Sequence, residues 1–394
     1  MKTTILFLAT WALLCSCDKD DPPPKDDPIT TEPNKVDAVT AELNERVLAI
    51  NGTNKSDWIE IQETASEVIV RSFSADRSAE LRLWTFTKSE ISEIVIRGFE
   101  GDDTFKNWYN GVYCSIDFTV HGGAGNDYIM GGSGKNVLNG GDGNSMIIGG
   151  RGTNVFYNTG IGSSIFIWRG TNDSWAPGNI NGDDDAHWRF YEHDRTGSTT
   201  SLSGTTTVQF KPWTEQEIFE VLNIITLIYN HTGSYRYTHN PNRSNGVQYG
   251  DYYVTIANTA PFGARRNGVT HTIELRTTQL RSSTIVHELA HGWQGNFTGE
   301  FVKINYYASL SPLWHEFRNI CWNAQSEAKP DAVAADFCSA YGMTNWGEDW
   351  CTTFEVAFGL STPSNNYGTS DKWKQKVNIA KRFIEQLSNL PPVK

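Results

Sequence analysis

The sequence predicts a multidomain protein in which an all-β N-terminal domain, built as a parallel β-roll or solenoid, precedes an α+β domain. At 394 residues the chain is long enough for more than one hydrophobic core. Glycine pairs recur every nine residues in its first half, and apolar residues at helical spacing follow in its second half. The net charge of −12 argues against a nucleic-acid partner, because no basic patch could offset phosphate repulsion.

Residues 1–17 have the pattern of a secretory leader. Lys2 is followed by an apolar run that is too short to span a membrane. The run ends in LCSC, which resembles a bacterial lipobox, and this resemblance implies that Cys17 is lipidated; Cys15 is the weaker alternative. The leader therefore predicts an exported lipoprotein whose contact with the membrane is its N-terminal lipid anchor.

Residues 18–39 form a segment rich in Pro and Asp. Such a composition cannot bury enough apolar surface to offset the entropy of ordering, so we expect a disordered tether. The acidic stretch after the cysteine resembles the surface-export signal of Bacteroidetes lipoproteins. That resemblance implies a position in the outer membrane, exposed on the cell surface.

Residues 40–168 are predicted to form one all-β unit that contains four glycine-rich repeats. The repeats read GGAGNDYIM, GGSGKNVLN, GGDGNSMII and GGRGTNVFY. They resemble the calcium-binding nonapeptide of hemolysin-type (RTX) proteins, in which glycines form tight turns and an aspartate supplies oxygen ligands. The eighth position is apolar in every repeat and is expected to point into the core: Ile129, Leu138, Ile147 and Phe156.

The carboxylates of these repeats are few. Position six is an aspartate only at Asp127, and the earlier segment GFEGDDTF adds Asp102 and Asp103. Calcium prefers about six to eight oxygen ligands with several negative charges among them. We therefore expect one or two structural calcium sites at most, near these three aspartates.

Residues 169–394 are predicted to form the α+β domain. A helix is expected to begin at Thr214, two strands follow in DYYVTIAN and THTIELRT, and LRSSTIVHELAHGWQGN reads as a helix. His287 and His291 stand four residues apart and thus share one face of that helix, where both can bind one zinc ion. Glu288 can then act as general base on the zinc-activated water.

The order of these elements resembles the N-terminal half of a zincin metallopeptidase. Gln294 and Phe297 stand where a metzincin needs glycine and histidine, which excludes that class. A gluzincin instead takes its third ligand from a later helix. The sequence offers four acidic candidates: Glu316, Asp336, Glu348 and Glu355.

Glu348 is the preferred third ligand, on a predicted helix where Cys351 and Glu355 share its stripe. The block around it resembles the second active-site helix of lethal-factor-like gluzincins and of zinc-binding metallopeptidase lipoproteins of Bacteroidetes, over roughly residues 210–360. That resemblance implies an oxyanion-stabilising role for Tyr341, seven residues before the ligand. Two alternatives stay open: Glu355 is the ligand, or Glu348 only forms a capping box with Asn345.

The sequence thus predicts a surface-exposed, lipid-anchored, zinc-dependent metalloendopeptidase that acts on a protein or peptide. The alternative is a catalytically inactive zincin-like surface adhesin or binding protein. Hydrolysis of a non-protein amide or ester is a third option. Disulfides are permitted in an exported protein, and the pairing among four cysteines stays open: Cys114, Cys321, Cys338 and Cys351.

Overall fold

The structure is a computed structural model, and the leader of residues 1–17, with Cys17, and residues 18–36 of the predicted tether lie outside the part it describes. The described residues are 37–158, 160, 162, 164–169, 173–175, 186–190, 196–201, 204–238, 251–259, 264–266, 272–298 and 307–390.

The first half of the described chain consists of strands. They are β1 (Thr40–Asn44), β2 (Val47–Asn51), β3 (Trp58–Glu63), β4 (Glu67–Phe73), β5 (Glu80–Thr87), β6 (Glu93–Glu100), β7 (Thr104–Lys106), β8 (Trp108–Tyr109), β9 (Val112–Tyr113), β10 (Asp117–Ala124), β11 (Tyr128–Met130), β12 (Asn136–Asp142), β13 (Met146–Ile148), β14 (Asn154–Tyr157) and β15 (Ile165–Trp168).

In the region from β6 to β15, residues 93–168 and here called the repeat region, the chain alternates between two sheets. Strands β6, β10, β12 and β14 pair side by side in parallel in one sheet, and β7, β11, β13 and β15 do so in the other. Each repeat therefore lies beside the repeat two units further on, with Ile129 opposite Ile147 and Leu138 opposite Phe156. All four of these residues are fully buried, which confirms their predicted inward orientation.

Glycine is required in the turns because the backbones of successive repeats nearly touch. Gly123 has a φ of +112°, and a Cβ there would lie 2.1 Å from the carbonyl oxygen of Phe99. A side chain would therefore force neighbouring turns apart as well as strain the backbone.

The second half of the described chain contains all of its α-helices. The helices are α1 (Glu215–Thr232), α2 (Ser282–Thr298), α3 (Ser311–Cys321), α4 (Trp346–Ala357) and α5 (Asp371–Ser388). The strands are β16 (Ser174–Trp175), β17 (Ala186–Phe190), β18 (Thr196–Ser201), β19 (Gly204–Phe210), β20 (Asp251–Thr259), β21 (Ala264–Arg266), β22 (Thr272–Arg276), β23 (Trp322–Ala324) and β24 (Glu327–Ala328). The predicted β-rich first half and helical C-terminal part are confirmed.

One sheet runs through both halves of the described chain. It continues in parallel from β15 to β17, β20 and β22, across residue 168, the predicted boundary between the two domains. Side chains on one face, such as Ile147, belong to the core of the repeat region. Those on the other face, such as Met146 and Ile148, pack in a second core with the helices. The sheet therefore separates two hydrophobic cores and contributes side chains to both.

Helix α1 begins where the sequence predicts. Thr214 is its N-cap, and it forms a reciprocal capping box with Glu217. Its buried residues include Ile218, Val221 and Ile225, whereas Leu227 is exposed. Within the described part of the chain, the helices are each too short or too polar to cross a membrane.

Candidate metal centre

Helices α2 and α4 pack directly against each other and form the candidate metal centre. The buried faces of α2 and α4 hold them against α5, where the rings of Trp293 and Trp350 lie 5.9 and 5.3 Å from that of Phe383. Five apolar residues of α2 are fully buried: Ile285, Val286, Leu289, Ala290 and Trp293. The two histidines of the HELAH segment are thereby directed toward α4.

The two histidines of α2 meet Glu348 of α4. Their ring centroids lie 4.9 Å apart. Oε2 of Glu348 is 3.0 Å from Nε2 of His287 and 3.5 Å from Nε2 of His291. One carboxylate oxygen thus faces the Nε2 atoms of both rings, an arrangement in which the three residues could hold one metal ion.

The cap of α4 leaves the Glu348 side chain available for this contact. The side chain of Asn345 accepts hydrogen bonds from the backbone N–H groups of Gly347 and Glu348. In a full capping box the carboxylate of Glu348 would turn back to the N–H of Asn345. Here it contacts the histidines instead, so the capping box is only half formed.

Glu355, the alternative third ligand, lies at the other edge of the His287 ring. Its Oε1 is 2.8 Å from Nδ1 of His287, whereas Glu348 contacts Nε2. A carboxylate on Nδ1 fixes the orientation and tautomer of a histidine whose Nε2 faces a metal. Glu355 therefore occupies the place of an orienting residue. Among the other acidic candidates, Glu316 pairs with Arg382 and Asp336 accepts from the N–H of Val333.

Cys351 belongs to the same cluster, which the sequence did not predict. Its Sγ and the ligand nitrogens of His287 and His291 all lie within 4.8 Å of one another. It follows Glu348 by three residues on α4, so that both side chains share a face of the helix. That spacing is visible in the sequence, but the sequence of an exported protein equally allows Cys351 to be a disulfide partner. The four cysteines of the described chain are all buried free thiols.

The general-base candidate Glu288 is buried beside the histidines, with 5% of its surface exposed. The backbone N–H of Arg266, in the sheet-edge strand β21, donates a hydrogen bond to its carboxylate. Burial raises the pKa of Glu288, and the neighbouring charges of His291 and His287 oppose that shift. The residue is thus held in place next to the cluster by a neighbouring strand.

Tyr341 lies on the exposed side of the cluster. Its ring stacks on that of His287 at a centroid distance of 6.0 Å, and its hydroxyl donates a hydrogen bond to Glu348. More than half of its surface, 55%, is exposed. Tyr341 therefore lies at the solvent-exposed edge of the histidine pair.

The protonated ring of His287 forms ion pairs with Glu348 and Glu355. A metal cation could take the place of the proton on its Nε2 atom. Burial opposes the charge on His287, but hydrogen bonds with Glu348 and Glu355 outweigh burial and raise the pKa of His287 to about 10. Burial would raise the pKa of Glu348, yet its contacts with His287 and His291 hold it well below the usual range. Two imidazoles, a carboxylate and a thiol are the donor types that zinc prefers, so these residues fit zinc.

A buried ion pair anchors the first turn of α4. Asp349 and Lys376 are both fully buried, with Nζ of Lys376 2.6 and 2.8 Å from the two carboxylate oxygens. The indole N–H of Trp322 donates to Asp349 at 2.8 Å. Because Asp349 directly follows Glu348, this pair fixes the backbone that carries Glu348.

A ladder of hydrogen bonds follows one edge of the repeat region and the coil before it. The backbone N–H of Asp57 donates to Oδ1 of Asp103 at 2.8 Å, and that of Asp103 to Oδ1 of Asp127 at 3.0 Å. The ladder continues through two serines. The hydroxyl of Ser145 accepts a hydrogen bond from the backbone N–H of Asp127, and that of Ser164 accepts one from the backbone N–H of Ser145. Position six is therefore a structural position in every second repeat, whether or not it carries a charge.

Two carboxylate oxygens of this ladder have no hydrogen-bond donor. Oδ2 of Asp103 and Oδ2 of Asp127 are buried without a partner. A Cβ at Gly98 would lie 2.4 Å from Oδ2 of Asp103 and 2.0 Å from the carbonyl oxygen of Gly122. Buried carboxylate oxygens that lie beside a peptide carbonyl, with no donor of their own, fit a hard cation.

Burial raises the pKa of both carboxyls, to about 9 for Asp103 and about 7 for Asp127. Asp102, the third predicted calcium ligand, is exposed and accepts a hydrogen bond from the N–H of Asn126. The two residues lie in the turn between β6 and β7, where Asp103 is buried and Asp102 is exposed. The structure therefore brings Asp103 and Asp127 together and leaves Asp102 on the outer side of the turn.

Comparison with known proteins supports the repeat. Residues 121–156 match the RTX calcium-binding nonapeptide repeat, in four copies. The match includes Asp127 and ends before the segment that contains α2 and α4. No curated protein and no solved structure matches the chain. The predicted RTX resemblance is confirmed for these residues, and the resemblance to zinc peptidases stays a prediction.

Proposed function

We propose that the protein is a zinc-dependent metalloendopeptidase of gluzincin type. The observation that carries this proposal is the single oxygen of Glu348 facing the Nε2 atoms of both His287 and His291. In the proposed site these three residues hold zinc, and Glu355 orients His287 through its Nδ1. The zincin-like interpretation of the C-terminal half rests on the same three residues.

In the proposed mechanism the chain's own residues position the substrate and move the proton. The chemistry that bound zinc supplies is a water of lowered pKa and a polarised scissile carbonyl. Glu288, beside the histidines, accepts the proton of the attacking water and passes it to the leaving amine. Tyr341 donates a hydrogen bond to the oxyanion from the exposed side of the site.

The proposal extends to the repeat region, as a parallel β-roll that binds calcium through Asp103 and Asp127. Their unpartnered, buried carboxylate oxygens support it. The RTX repeat is typical of secreted and extracellular proteins, in agreement with the proposed export. Anchoring through a lipid at Cys17, in the outer membrane and exposed on the surface, is part of the same proposal and rests on the leader sequence alone.

A catalytically inactive surface adhesin or binding protein is the second candidate function. The observation that favours it is the thiol of Cys351 within the histidine cluster. Structural zinc sites have four protein ligands, whereas catalytic sites keep one position for water. A fourth donor close to the cluster is therefore compatible with a purely structural centre.

A peptide-library digest with and without a chelator separates these functions. We expect the full chain to cleave internal peptide bonds, a chelator to stop the cleavage, and added zinc to restore it. Identical products with and without the chelator would contradict a metal-dependent enzyme. The absence of any product from a zinc-loaded chain would favour the binding protein.

A further inference from the structure

We propose that Cys351 is a fourth protein ligand of the metal ion, so that the centre is formed by two histidines, one glutamate and one cysteine. This inference rests on the proposed zinc site and adds a ligand to it. The gluzincin pattern contains three protein ligands: two histidines and one glutamate. A thiolate in the centre would make it chemically different from that pattern.

The positions of the two α4 donors support this assignment. Glu348 and Cys351 stand three residues apart and therefore lie on the same face of the helix, one turn after the other. The carboxylate of Glu348 reaches the Nε2 atoms of both histidines. The sulfur of Cys351 lies within 4.8 Å of a ligand nitrogen of each histidine. Each of these two α4 side chains thus lies close to both histidines of α2.

The burial of Cys351 defines the side from which it would bind. Cys351 is fully buried, whereas Tyr341, which stacks on His287, is 55% exposed. The thiol therefore approaches from the protein interior, and the solvent side is left for substrate and water.

Sulfur in the donor set has a chemical consequence that oxygen and nitrogen do not have. Thiolate is a soft ligand and favours zinc and other borderline or soft ions over magnesium or calcium. The zinc centre is therefore expected to discriminate strongly against the calcium that we assign to the repeat region. A thiolate also gives cobalt(II), the usual optical substitute for zinc, a sulfur-to-metal charge-transfer absorption in the near ultraviolet.

The test is the spectrum of the cobalt-substituted full chain. We expect a charge-transfer band in the wild-type chain and its loss in Cys351→Ser. Cys338→Ser is the matched control, since Cys338 is also a buried thiol on the neighbouring segment but lies outside the cluster. It should keep the band. Zinc affinity in Cys351→Ser should fall by at least about 10-fold. Loss of a residue that only supports a metal ligand already costs about 10-fold, and loss of a direct ligand should cost no less.

A second measurement needs no variant and does not depend on whether Cys351→Ser folds. X-ray absorption at the zinc edge of the wild-type chain should contain one sulfur neighbour at about 2.3 Å. A zinc spectrum with only nitrogen and oxygen neighbours, or a cobalt chain without the band, would overturn the assignment of Cys351 and leave the proposed function intact. A wild-type chain that binds neither metal would overturn both.

Discussion

Replacement of Glu288 by alanine is expected to abolish peptide hydrolysis and to leave zinc binding unchanged. Glu288 lies beside both histidines, yet the contacts that define the proposed ligand set are made by Glu348 and not by Glu288. General base catalysis contributes about 100- to 10,000-fold to the rate, so a loss of at least 100-fold is expected. The measurement is the rate of cleavage of a peptide found in the library digest, together with the zinc content of the variant.

Glu316→Ala is the control for this variant. Glu316 was also a possible ligand from the sequence, but it is an exposed residue that pairs with Arg382 on α5. Its replacement should change neither the rate nor the zinc content. Hydrolysis by Glu288→Ala at a rate near that of the wild type would rule out the proposed mechanism. Loss of zinc from Glu288→Ala would instead assign Glu288 to the ligands.

The repeat region is expected to lose stability as the pH rises when calcium is removed. Asp103 and Asp127 have pKa values of about 9 and about 7 in the folded chain, well above the ordinary value of 3.8. In this window the folded state binds more protons than the unfolded state, so its free energy of unfolding decreases with increasing pH. The stability is fully present below pH 3.8 and is lost progressively up to about pH 7 and 9.

The loss is large enough to measure by chemical denaturation. At neutral pH it amounts to a few kcal/mol for the two carboxyls together, on the basis of about 1.4 kcal/mol per pH unit. Calcium should offset this loss, because a bound cation stabilises the ionised carboxylates. At a concentration about 100 times its dissociation constant, calcium would add about 2.7 kcal/mol.

Asp103→Asn should reduce both the pH dependence and the response to calcium. Asp117→Asn is the matched control, because Asp117 lies in the same region but is exposed and accepts a hydrogen bond from the N–H of Lys135. It should leave the calcium response unchanged. Equal calcium responses in the wild type and in Asp103→Asn would contradict the assignment of Asp103 to a cation site.

Periodic features could be predicted from the sequence because burial follows a fixed phase. The apolar residue at position eight of every repeat had to point inward, since the turns keep the strands in register. Thr214 marked the start of α1 because capping is a local interaction. The histidines of α2 had to share a face because the spacing of four matches one helical turn.

The remaining features depend on contacts between distant segments, which periodicity does not reveal. Asp102 and Asp103 are adjacent in a turn between two strands. The alternation of inward and outward residues along a strand therefore could not predict which of the two faces the neighbouring turn. Cys351 shares a helical stripe with Glu348, but its proximity to the histidines depends on how α4 packs against α2. Similarly, the pairing of Asp349 with Lys376 joins two helices that have no common pattern in the sequence.

The continuation of one sheet through both halves of the described chain could also not be predicted from the sequence. A change in composition after residue 168 marks where helices begin, but strand pairing continues across that position from β15 to β17. Strand pairing is set by the approach of backbones, which glycine content and apolar spacing do not encode. The repeat region and the helices consequently pack against opposite faces of one sheet, which the predicted division into two domains does not include.

The zinc content of the purified full chain tests the central claim most directly, namely that His287, His291 and Glu348 form a metal centre. Atomic absorption should find about one zinc per wild-type chain, as in a mononuclear catalytic site. His291→Ala should lose most of this zinc, and His315→Ala, with its histidine on α3, should keep it. A wild-type chain without zinc, even after incubation with the metal, would contradict the claim. So would an equal zinc content in His291→Ala and the wild type.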